Sequence, residues 1–242
     1  MDEAVKILKE ARKVAVLTGA GISKESGLDT FRDTDGSGLW SQYNPMDLAT
    51  PQAFGRDPQL VWDWYNFRRN KAFEAFPNPG HETLAKWETR FDEFLLVTQN
   101  VDGLHQRAGS SKILCLHGNL LDTRCLESDT VIYKPDPFEK VPPYCKCGSM
   151  LRPHIVWFGE ALPFGAMERA VEACSQADVL LVVGTALAVY PAASMVPYAL
   201  SAGVPVIEIN PESSDFSSRT IHLQGASGEI LPKLDEAAFG ES

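Results

Sequence analysis

Four short apolar segments, separated by helical patterns, constrain the fold of this chain more than any other feature. Each is rich in aliphatic or β-branched residues and stops at a polar residue or a glycine, which is typical of a buried parallel strand. The four segments are residues 14–17, 94–97, 179–183 and 204–209. Helical patterns lie between several of them, including residues 166–176 and 192–201. Strands that alternate with helices predict an α/β fold with a doubly wound parallel sheet.

The composition indicates one folded domain that carries insertions. The chain has 242 residues, of which 44% are hydrophobic and 22% charged, so it can fill a sizeable core. These values exclude a disordered or low-complexity protein. Its 22 basic and 32 acidic residues give a net charge of -10. This balance disfavours nucleic acid as a partner, because no basic excess offsets phosphate repulsion, whereas a lysine-rich peptide would be attracted.

Cysteine usage and hydropathy predict a cytoplasmic protein that does not contact membranes. Five cysteines, an odd number at wide spacing, argue against a disulfide framework. Residues 1–13 lack the core of a signal peptide and show helical spacing of their apolar residues. The longest uncharged stretch, residues 179–207, is divided by glycines and prolines, so we predict a strand, a loop, a helix and a strand instead of a membrane span. We also expect a monomer.

Small and amide side chains follow the carboxyl ends of the four predicted strands. The residues concerned are Thr18-Gly19-Ala20-Gly21-Ile22-Ser23, Thr98-Gln99-Asn100-Val101-Asp102, Gly184-Thr185-Ala186 and Asn210-Pro211. Because right-handed crossovers place ligands beyond the carboxyl ends of parallel strands, these side chains should face one crevice. Their composition is typical of a nucleotide site.

The first of these turns contains Gly19-Ala20-Gly21 between a strand and a predicted helix. Such glycines let the backbone approach a pyrophosphate, and the helix amino terminus adds amide donors. The dinucleotide fingerprint needs a third glycine at position 24, where this chain has Lys24. An ordinary tight turn is therefore an alternative, and the missing glycine argues against a hydride-transferring dehydrogenase.

Two further turns carry candidate catalytic residues. Asn100 and Asp102 are suited to hydrogen-bond ribose hydroxyls and a carboxamide, although either could instead cap a helix. His117 follows the apolar run 113–116, and an imidazole near the crevice suits a general base because it titrates close to neutrality. His105 and His154 are alternatives to His117 that spacing does not exclude. Spacing likewise does not decide whether Asn100 and Asp102 bind a ligand or cap a helix.

Two regions fit the sheet pattern poorly and are predicted to form a smaller lobe. Residues 31–90 are rich in Trp, Phe and Pro and include a cofactor loop and a helical stretch, whereas residues 122–152 are polar and contain three cysteines. The main nucleotide-binding domain would then comprise residues 1–30, 91–121 and 153–242.

Cys125, Cys145 and Cys147 suggest a degenerate metal module in the second insertion. Structural zinc usually takes four ligands from two C-x-x-C pairs. Here Ser128 occupies the second position of the first pair, and the other pair is C-x-C. Three thiolates do not close such a site, so zinc is doubtful and reduced, unpaired thiols are the alternative.

Tyr65 and Arg68 lie three residues apart on a predicted helix and so share one of its faces. A tyrosine hydroxyl beside a guanidinium fork is suited to bind a carboxylate. From spacing alone, a surface arginine next to a packed tyrosine is the alternative.

Taken together, these motifs resemble the sirtuin family of NAD-dependent protein-lysine deacylases, of the prokaryotic, class III-like type. The matching motifs span most of the chain in the family's order. They are Gly19-Ala20-Gly21-Ile22-Ser23, Ser26-Gly27, Thr30-Phe31-Arg32, Thr98 to His105, Leu116-His117-Gly118, Val156 to Glu160, Gly184-Thr185 and Glu208-Ile209-Asn210-Pro211. The resemblance implies a Rossmann-like large domain, a smaller lobe formed by the two insertions, and NAD+ as co-substrate.

The resemblance also implies roles for individual residues. Asn100 and Asp102 would orient the nicotinamide ribose and carboxamide, and His117 would be the general base. Ser227 would lie near the adenine end. The other residues along NAD+ would be Gly19, Ala20, Gly21, Phe31, Arg32, Gln99, Gly184, Thr185 and Asn210.

For the substrate, the resemblance implies an acyl-lysine protein or peptide. Its backbone would pair as an added strand with Val156, Trp157, Phe158 and Gly159. Tyr65 and Arg68 resemble the pair that favours succinyl- or malonyl-lysine in class III, with acetyl-lysine still accepted. The products would be free lysine, nicotinamide and O-acyl-ADP-ribose. An ADP-ribosyltransferase and a non-catalytic binder of NAD or acyl-lysine are the alternatives, and the set Asn100, Asp102 and His117 favours deacylation over both.

Overall fold

A computed structural model describes residues 1–30, 43–133 and 138–240. The predicted cofactor residues Phe31 and Arg32 lie outside the described residues. The strands are β1 (Lys13–Thr18), β2 (Glu93–Thr98), β3 (Ile113–Cys115), β4 (Gly118–Cys125), β5 (Val131–Ile132), β6 (Leu151–Ile155), β7 (Val179–Val183), β8 (Val206–Asn210) and β9 (Ile221–Gln224). The α-helices are α1 (Asp2–Glu10), α2 (Pro45–Leu48), α3 (Pro51–Arg56), α4 (Pro58–Glu74), α5 (Pro79–Trp87), α6 (Leu104–Arg107), α7 (Ala166–Gln176), α8 (Met195–Ser201) and α9 (Ser227–Phe239).

Six of these strands form one sheet in the order β3-β2-β1-β7-β8-β9. Every pairing between neighbours in this sheet is parallel. The chain extends from β1 toward β2 on one side and later places β7 on the other, so the strand order reverses at β1. The predicted doubly wound α/β fold is therefore confirmed, and the four apolar segments coincide or overlap with β1, β2, β7 and β8. A ligand crevice is expected at the carboxyl ends of the strands where the order reverses.

Side chains of the central strands point alternately into two helical layers. Val14 and Val16 of β1 join a buried cluster that includes residues of α1, α5 and α9. Ala15 and Leu17 of the same strand join a second cluster with residues of α7 and α8. Because successive strand residues face opposite sides of a sheet, burial of both faces requires apolar residues at every position. This explains why the strands were visible as continuous apolar runs.

Four helices between Pro45 and Trp87 begin with a common local signal. In α2, α3, α4 and α5, a side-chain oxygen of the capping residue accepts a hydrogen bond from a backbone N–H of the first turn. The residue after each capping residue is a proline. The capping residues are Asn44, Thr50, Asp57 and Asn78. The cap satisfies an amide of the first turn, and proline lacks an N–H where none is needed. These signals fix where the four helices begin. Residues of α4 pack in the core of the smaller lobe.

The smaller lobe is built on three antiparallel strands in the order β5-β4-β6. Its core combines Trp62 and Tyr65 of α4 with Leu120 of β4 and with Trp157, which follows β6. Both predicted insertions therefore contribute to one lobe, as the sequence patterns indicated.

The structure places the boundaries of these insertions differently from the prediction. α5 contributes Leu84 and Trp87 to the core of the main sheet, although the first predicted insertion runs to residue 90. The small sheet also begins earlier than predicted, because β4 starts at Gly118 and not after residue 121. Helical and strand periodicity identifies the apolar face of an element but not the sheet against which that face packs.

The long uncharged stretch is arranged as predicted. It contains β7, a 3-10 helix (Ala192–Ser194), α8 and the start of β8. Across the described ranges, no helix combines the length and the apolar character that a bilayer crossing requires.

Candidate active site

The carboxyl ends of β1, β2, β7 and β8 open onto one cleft with a volume of about 410 Å³. The predicted site residues that line this cleft are Gly19, Ala20, Gly21, Gln99, Asn100, His117, Gly184, Thr185 and Asn210. They come from distant parts of the chain and meet because parallel strands end at the same edge of the sheet. The lining offers backbone amides, hydroxyls and side-chain amides, which are the groups that bind a dinucleotide.

Two glycine turns pack against each other in this cleft. The N–H of Gly21 donates to the carbonyl of Gly184 at 2.8 Å, and the N–H of Gly19 donates to the carbonyl of Val183 at 3.1 Å. A Cβ atom on Gly184 would lie 2.2 Å from the amide nitrogen of Ile22. Glycine is required because the two backbones approach more closely than a side chain allows. The glycines of these turns are therefore explained by close backbone packing.

Replacing Gly184 by alanine should lower the free energy of unfolding by about 2–4 kcal/mol. The residue has φ of +59°, which disfavours an L side chain, and the overlap with Ile22 adds to that cost. Gly203→Ala is a matched control, because Gly203 has φ of +79° and nothing within 4 Å of the added Cβ. Urea unfolding of both variants measures the difference. Equal losses would show that close packing of the two turns contributes nothing.

Ser23 holds Asn100 and Asp102 in fixed orientations. Its Oγ donates to Asp102 Oδ2 at 2.8 Å and accepts from Asn100 Nδ2 at 3.2 Å. Asp102 Oδ1 also accepts from the N–H of Leu104 at 2.9 Å, so the carboxylate binds the backbone at the start of α6 as well as Ser23. Burial raises the pKa of Asp102, and its hydrogen bonds and the nearby Arg68 guanidinium oppose that rise.

His81 is a buried neighbour of Ser23 that the motifs did not identify. Its Nδ1 accepts a hydrogen bond from the backbone N–H of Asn78 at 3.3 Å, so its Nε2 carries the proton. That Nε2 lies 3.4 Å from Ser23 Oγ, which in turn donates to Asp102. Burial lowers the pKa of His81 to about 4, so the ring is neutral near neutral pH. The sequence signal was the helix start at Asn78, which places the side chain of the third helical residue near the cap.

The imidazole of His117 is oriented as a base. Its Nδ1 lies 3.1 Å from the backbone carbonyl of Gln99. A carbonyl only accepts hydrogen bonds, so Nδ1 carries the proton and Nε2 is unprotonated in the neutral ring. Burial lowers the pKa of His117, and the bond to Gln99 opposes part of that shift. A neutral ring with an unprotonated Nε2 can take a proton from a hydroxyl group.

The two alternative histidines lie elsewhere in the described structure. His105 is 1% exposed, its Nε2 lies 3.0 Å from Thr18 Oγ1, and its ring centroid lies 4.8 Å from that of His81. His154 lies on β6 in the smaller lobe. Of these three histidines, the one that lines the cleft is His117.

A second, smaller cavity adjoins the cleft through Ala20 and Asn100, which line both. Arg68 lines this second cavity. Its guanidinium carbon lies 4.7 Å from the ring centroid of Trp64 and 5.9 Å from that of Tyr65. Stacking against aromatic rings fixes the plane of a guanidinium group. The structure therefore places an oriented cation beside the predicted catalytic residues.

Tyr65 is buried behind this cavity, with 1% of its surface exposed. Its hydroxyl accepts a hydrogen bond from Trp157 Nε1 at 2.9 Å. Burial raises the pKa of Tyr65 to about 12, so the hydroxyl keeps its proton and can itself donate. In the described residues, Arg68 is the member of the predicted pair that lines the cavity, and Tyr65 packs between it and Trp157.

The predicted peptide-binding segment, residues 156–159, follows β6 as a turn and not as a strand. Three of its amides have partners: Val156 donates to the carbonyl of His117 at 3.0 Å, Trp157 to Glu160 Oε2 at 2.8 Å, and Phe158 to the carbonyl of Ala49 at 2.9 Å. Within the described residues, no hydrogen bond from the Gly159 N–H is found. A substrate strand would therefore pair with this amide and with carbonyl groups, and not with the whole segment.

Ser227 is not among the residues that line the cleft. It starts α9, is 3% exposed, and its Oγ lies 3.5 Å from Glu25 Oε2. The same carboxylate oxygen accepts from the N–H of Gly228 at 2.7 Å. The amino terminus of α9 would suit an anionic ligand, but the Glu25 carboxylate already lies there. The described geometry therefore gives no support to the predicted contact between Ser227 and adenine.

Three thiols converge in the smaller lobe. The Sγ atoms of Cys125, Cys145 and Cys147 lie within 4.8 Å of one another. Hydrogen bonds from Ser128 lower the pKa of the Cys125 thiol to about 6. Three thiolates suit a thiophilic cation such as zinc, but no fourth His, Cys, Asp or Glu ligand joins them in the described part of the chain, so the set is one ligand short of a structural zinc site. An ion here would brace the lobe, and none of these cysteines lines the cleft.

The fold and the cleft define a class of protein: a nucleotide-binding α/β enzyme with an oriented imidazole base at the point where the strand order reverses. The sequence matches the Sir2 family over residues 19–191. The match covers most of the chain, and the chain belongs to the Sir2 family. The resemblance to sirtuins is confirmed.

Curated relatives match over nearly the whole chain. A protein of Thermus thermophilus named NAD-dependent protein deacylase is 49% identical, over 99% of this chain and 98% of its own length. One of Aquifex aeolicus with the same name is 51% identical, over 93% of this chain and 95% of its own length. NAD-dependent protein deacylase 2 of Pyrobaculum aerophilum is 50% identical, over 95% of this chain and 92% of its own length.

Solved structures of Sir2 proteins have the same fold. A Sir2 homologue mutant in complex with ADP-ribose superimposes with a TM-score of 0.92 at 41% identity, covering 98% of this chain and 96% of that one. A Sir2 homologue in complex with NAD gives a TM-score of 0.88 at 41% identity, covering 98% and 93%. A complex of Sir2 with a p53 peptide and NAD+ gives a TM-score of 0.84 at 32% identity, covering 98% and 97%.

Proposed function

We propose that this chain removes acyl groups from protein lysines with NAD+ as co-substrate, and that it prefers acidic acyl groups such as succinyl and malonyl over acetyl. NAD-dependent deacylation follows from membership of the Sir2 family and from the names of the relatives. The acyl preference rests on one observation: Arg68 lines the cavity that shares Asn100 with the cleft.

The side chains of the cleft suit the steps of such a reaction. Asn100 and Asp102 are held by Ser23, so they present fixed hydrogen-bonding groups to a ribose and a carboxamide. The acyl oxygen attacks C1′ of the nicotinamide ribose as the bond to nicotinamide breaks. The unprotonated Nε2 of His117 then accepts the proton of a ribose hydroxyl, whose oxygen attacks the carbon of the resulting imidate. Addition of water and departure of the lysine amine leave the acyl group on the ribose. Nicotinamide, free lysine and O-acyl-ADP-ribose are the products. Simple ADP-ribosyl transfer has less need of this base, so the orientation of His117 supports deacylation.

The acyl preference follows from the cost of burying charge. A succinyl group carries a terminal carboxylate, and removing it from water is unfavourable unless a cation or several donors receive it. The Arg68 guanidinium offers paired N–H donors that match a carboxylate, in a plane set by Trp64 and Tyr65. An acetyl group makes no demand on Arg68, so acetyl-lysine should remain a substrate.

The test compares two peptides of the same sequence, one with succinyl-lysine and one with acetyl-lysine. Mass spectrometry follows nicotinamide, O-acyl-ADP-ribose and deacylated peptide together. We expect a higher kcat/KM for the succinyl peptide. A higher value for the acetyl peptide would contradict the preference and leave deacylation intact. Cleavage of NAD+ with neither peptide deacylated would favour an ADP-ribosyltransferase, and no release of nicotinamide would favour a non-catalytic binder.

We also propose a cytoplasmic location. All five cysteines lie in the described residues, and all are free thiols. Unpaired thiols are typical of a reducing compartment, which supports this proposal. Localisation of a tagged chain by cell fractionation would test it.

A further inference from the structure

A bidentate ion pair lies beside the predicted peptide-binding segment. Arg152 Nη1 donates to Glu160 Oε1 at 2.6 Å, and Arg152 Nη2 donates to Glu160 Oε2 at 2.9 Å. The side chains of Arg152 and Glu160 are only 12% and 25% exposed. Two parallel charge-assisted bonds with limited access to water fix both groups far more firmly than a single surface contact does.

The same ion pair also forms hydrogen bonds with the backbone of residues 155–157, which lie between Arg152 and Glu160 in the sequence. Arg152 Nη2 also donates to the carbonyl of Ile155 at 3.0 Å, and Glu160 Oε2 accepts from the N–H of Trp157 at 2.8 Å. The guanidinium carbon lies 3.6 Å from the ring centroid of Trp157. The pair therefore fixes the backbone on both sides of Val156 and also holds the indole ring, which a local turn alone would not do.

This segment contacts both halves of the candidate site. The N–H of Val156 donates to the carbonyl of His117 at 3.0 Å, so the segment is joined directly to the residue that supplies the base. On the other side, Trp157 Nε1 donates to the hydroxyl of Tyr65 at 2.9 Å, and the Tyr65 ring packs near Arg68. Arg152 and Glu160 line neither cavity in the described structure.

We propose that Arg152 and Glu160 are positioning residues that hold residues 155–160 in register with both His117 and Tyr65, so that peptide capture and acyl selectivity depend on one ion pair. The inference rests on the proposed function, since it assigns a determinant of peptide binding to that same site. It assigns no direct contact between the pair and the reacting atoms. Loss of the pair should loosen the peptide-binding segment and, through Trp157, the packing of Tyr65 near Arg68.

The variants Arg152→Gln and Glu160→Gln test this proposal. Each removes one charge with little change in size. We expect the KM for the succinyl peptide to rise about tenfold or more, because the remaining partner is left partly buried without its counter-charge. The KM for NAD+ should change by less than about twofold, because neither Arg152 nor Glu160 lines the cleft that contains the glycine turns. The ratio of succinyl to acetyl kcat/KM should also fall.

Arg124→Gln is the matched control. Arg124 and Asp129 form a second two-bond ion pair in the small sheet, with side chains 40% and 69% exposed. Its loss removes the same charge from the same lobe but none of the hydrogen bonds to residues 155–160, so the KM for the peptide should rise far less than in Arg152→Gln. The double variant of Arg152 and Glu160 should be no worse than the poorer single variant, because the two residues act as a unit.

Binding measurements separate this proposal from the proposed function. Fluorescence anisotropy with a labelled succinyl-lysine peptide reports capture without turnover, and calorimetry with ADP-ribose reports the nucleotide site.

If wild-type protein binds the labelled peptide but deacylates neither the succinyl nor the acetyl peptide, the proposed function fails, and the positioning role is still measured by binding. Peptide affinities equal to wild type in Arg152→Gln and Glu160→Gln would overturn the positioning role. Parallel losses of peptide and ADP-ribose affinity would also overturn it, because they would indicate general destabilisation. Absence of peptide binding by wild-type protein would overturn both.

Discussion

Replacement of His117 by alanine should lower kcat for the succinyl peptide by about 10²–10⁴-fold, the usual contribution of a positioned general base. The bond from Nδ1 to the carbonyl of Gln99 leaves Nε2 as the proton acceptor, and alanine supplies no substitute. Binding of ADP-ribose and the free energy of unfolding should change little, because the ring is only partly buried and accounts for one hydrogen bond. Steady-state kinetics, calorimetry and urea unfolding measure these three quantities.

His154→Ala is the control for this result. His154 was an alternative base on sequence grounds, and the structure places it on β6 in the smaller lobe. Its loss should leave kcat within about threefold of wild type, an effect well below that of removing a general base. The assignment of the base would be wrong if His117→Ala retained near-normal turnover, or if His154→Ala lost as much.

The pH dependence of the same reaction gives a further check on His117. Burial lowers its pKa below the ordinary value of 6.5. The neutral ring is the active form of a base, so activity is complete above the lowered pKa and is lost as pH falls through it. The acid limb of kcat/KM, which reports the free enzyme, should therefore lie below pH 6.5. A limb above that value would contradict the environment described for this ring.

Local patterns in the sequence predicted the elements that are strongly apolar. The four central segments were recognised because both faces of β1 and its neighbours are buried, so nearly every residue is aliphatic. The edge strand β9 was not predicted, because Ile221-His222-Leu223-Gln224 alternates apolar and polar residues over only four positions. A pattern that short does not distinguish an edge strand from a loop.

Contacts between distant residues were not predictable in the same way. Ser23 joins Asp102 and His81 across 79 and 58 residues of sequence, and nothing in the local pattern around His81 indicates that it faces Ser23. Similarly, Glu25 lies at the amino terminus of α9, where a ligand contact for Ser227 was expected. Motifs thus predicted which strand ends supply the site, whereas packing decides which side chains reach it.

The two neighbouring cavities differ in the chemical groups that line them. The cleft that contains His117 is lined by glycine turns and amides, whereas the adjoining cavity contains Arg68. Asn100 lines both, so the two cavities adjoin at this residue. This juxtaposition predicts that a change in the second cavity alters which acyl group is removed, and not whether NAD+ is bound.

Replacement of Arg68 by methionine should therefore lower kcat/KM for the succinyl peptide by about 10- to 100-fold, the effect of losing a charge-assisted hydrogen bond to a carboxylate. Methionine keeps an unbranched apolar side chain of moderate length, so it can still pack against Trp64 and Tyr65. For the acetyl peptide, kcat/KM should stay within about threefold, because an acetyl group presents no charge to this position. Both values are measured with the same peptide sequence and saturating NAD+.

Lys71→Met provides the sharpest comparison for Arg68→Met. Lys71 lines the same cavity and its loss changes the net charge equally, but its Nζ forms an ion pair with Asp29 at 3.0 Å. Lys71→Met should therefore lower kcat/KM for the succinyl peptide less than Arg68→Met does. If the two variants lowered succinyl activity equally, the combined charge of the two cations, and not a specific contact with Arg68, would explain the preference. If Arg68→Met lowered succinyl and acetyl activity equally, Arg68 would not bind the acyl carboxylate at all.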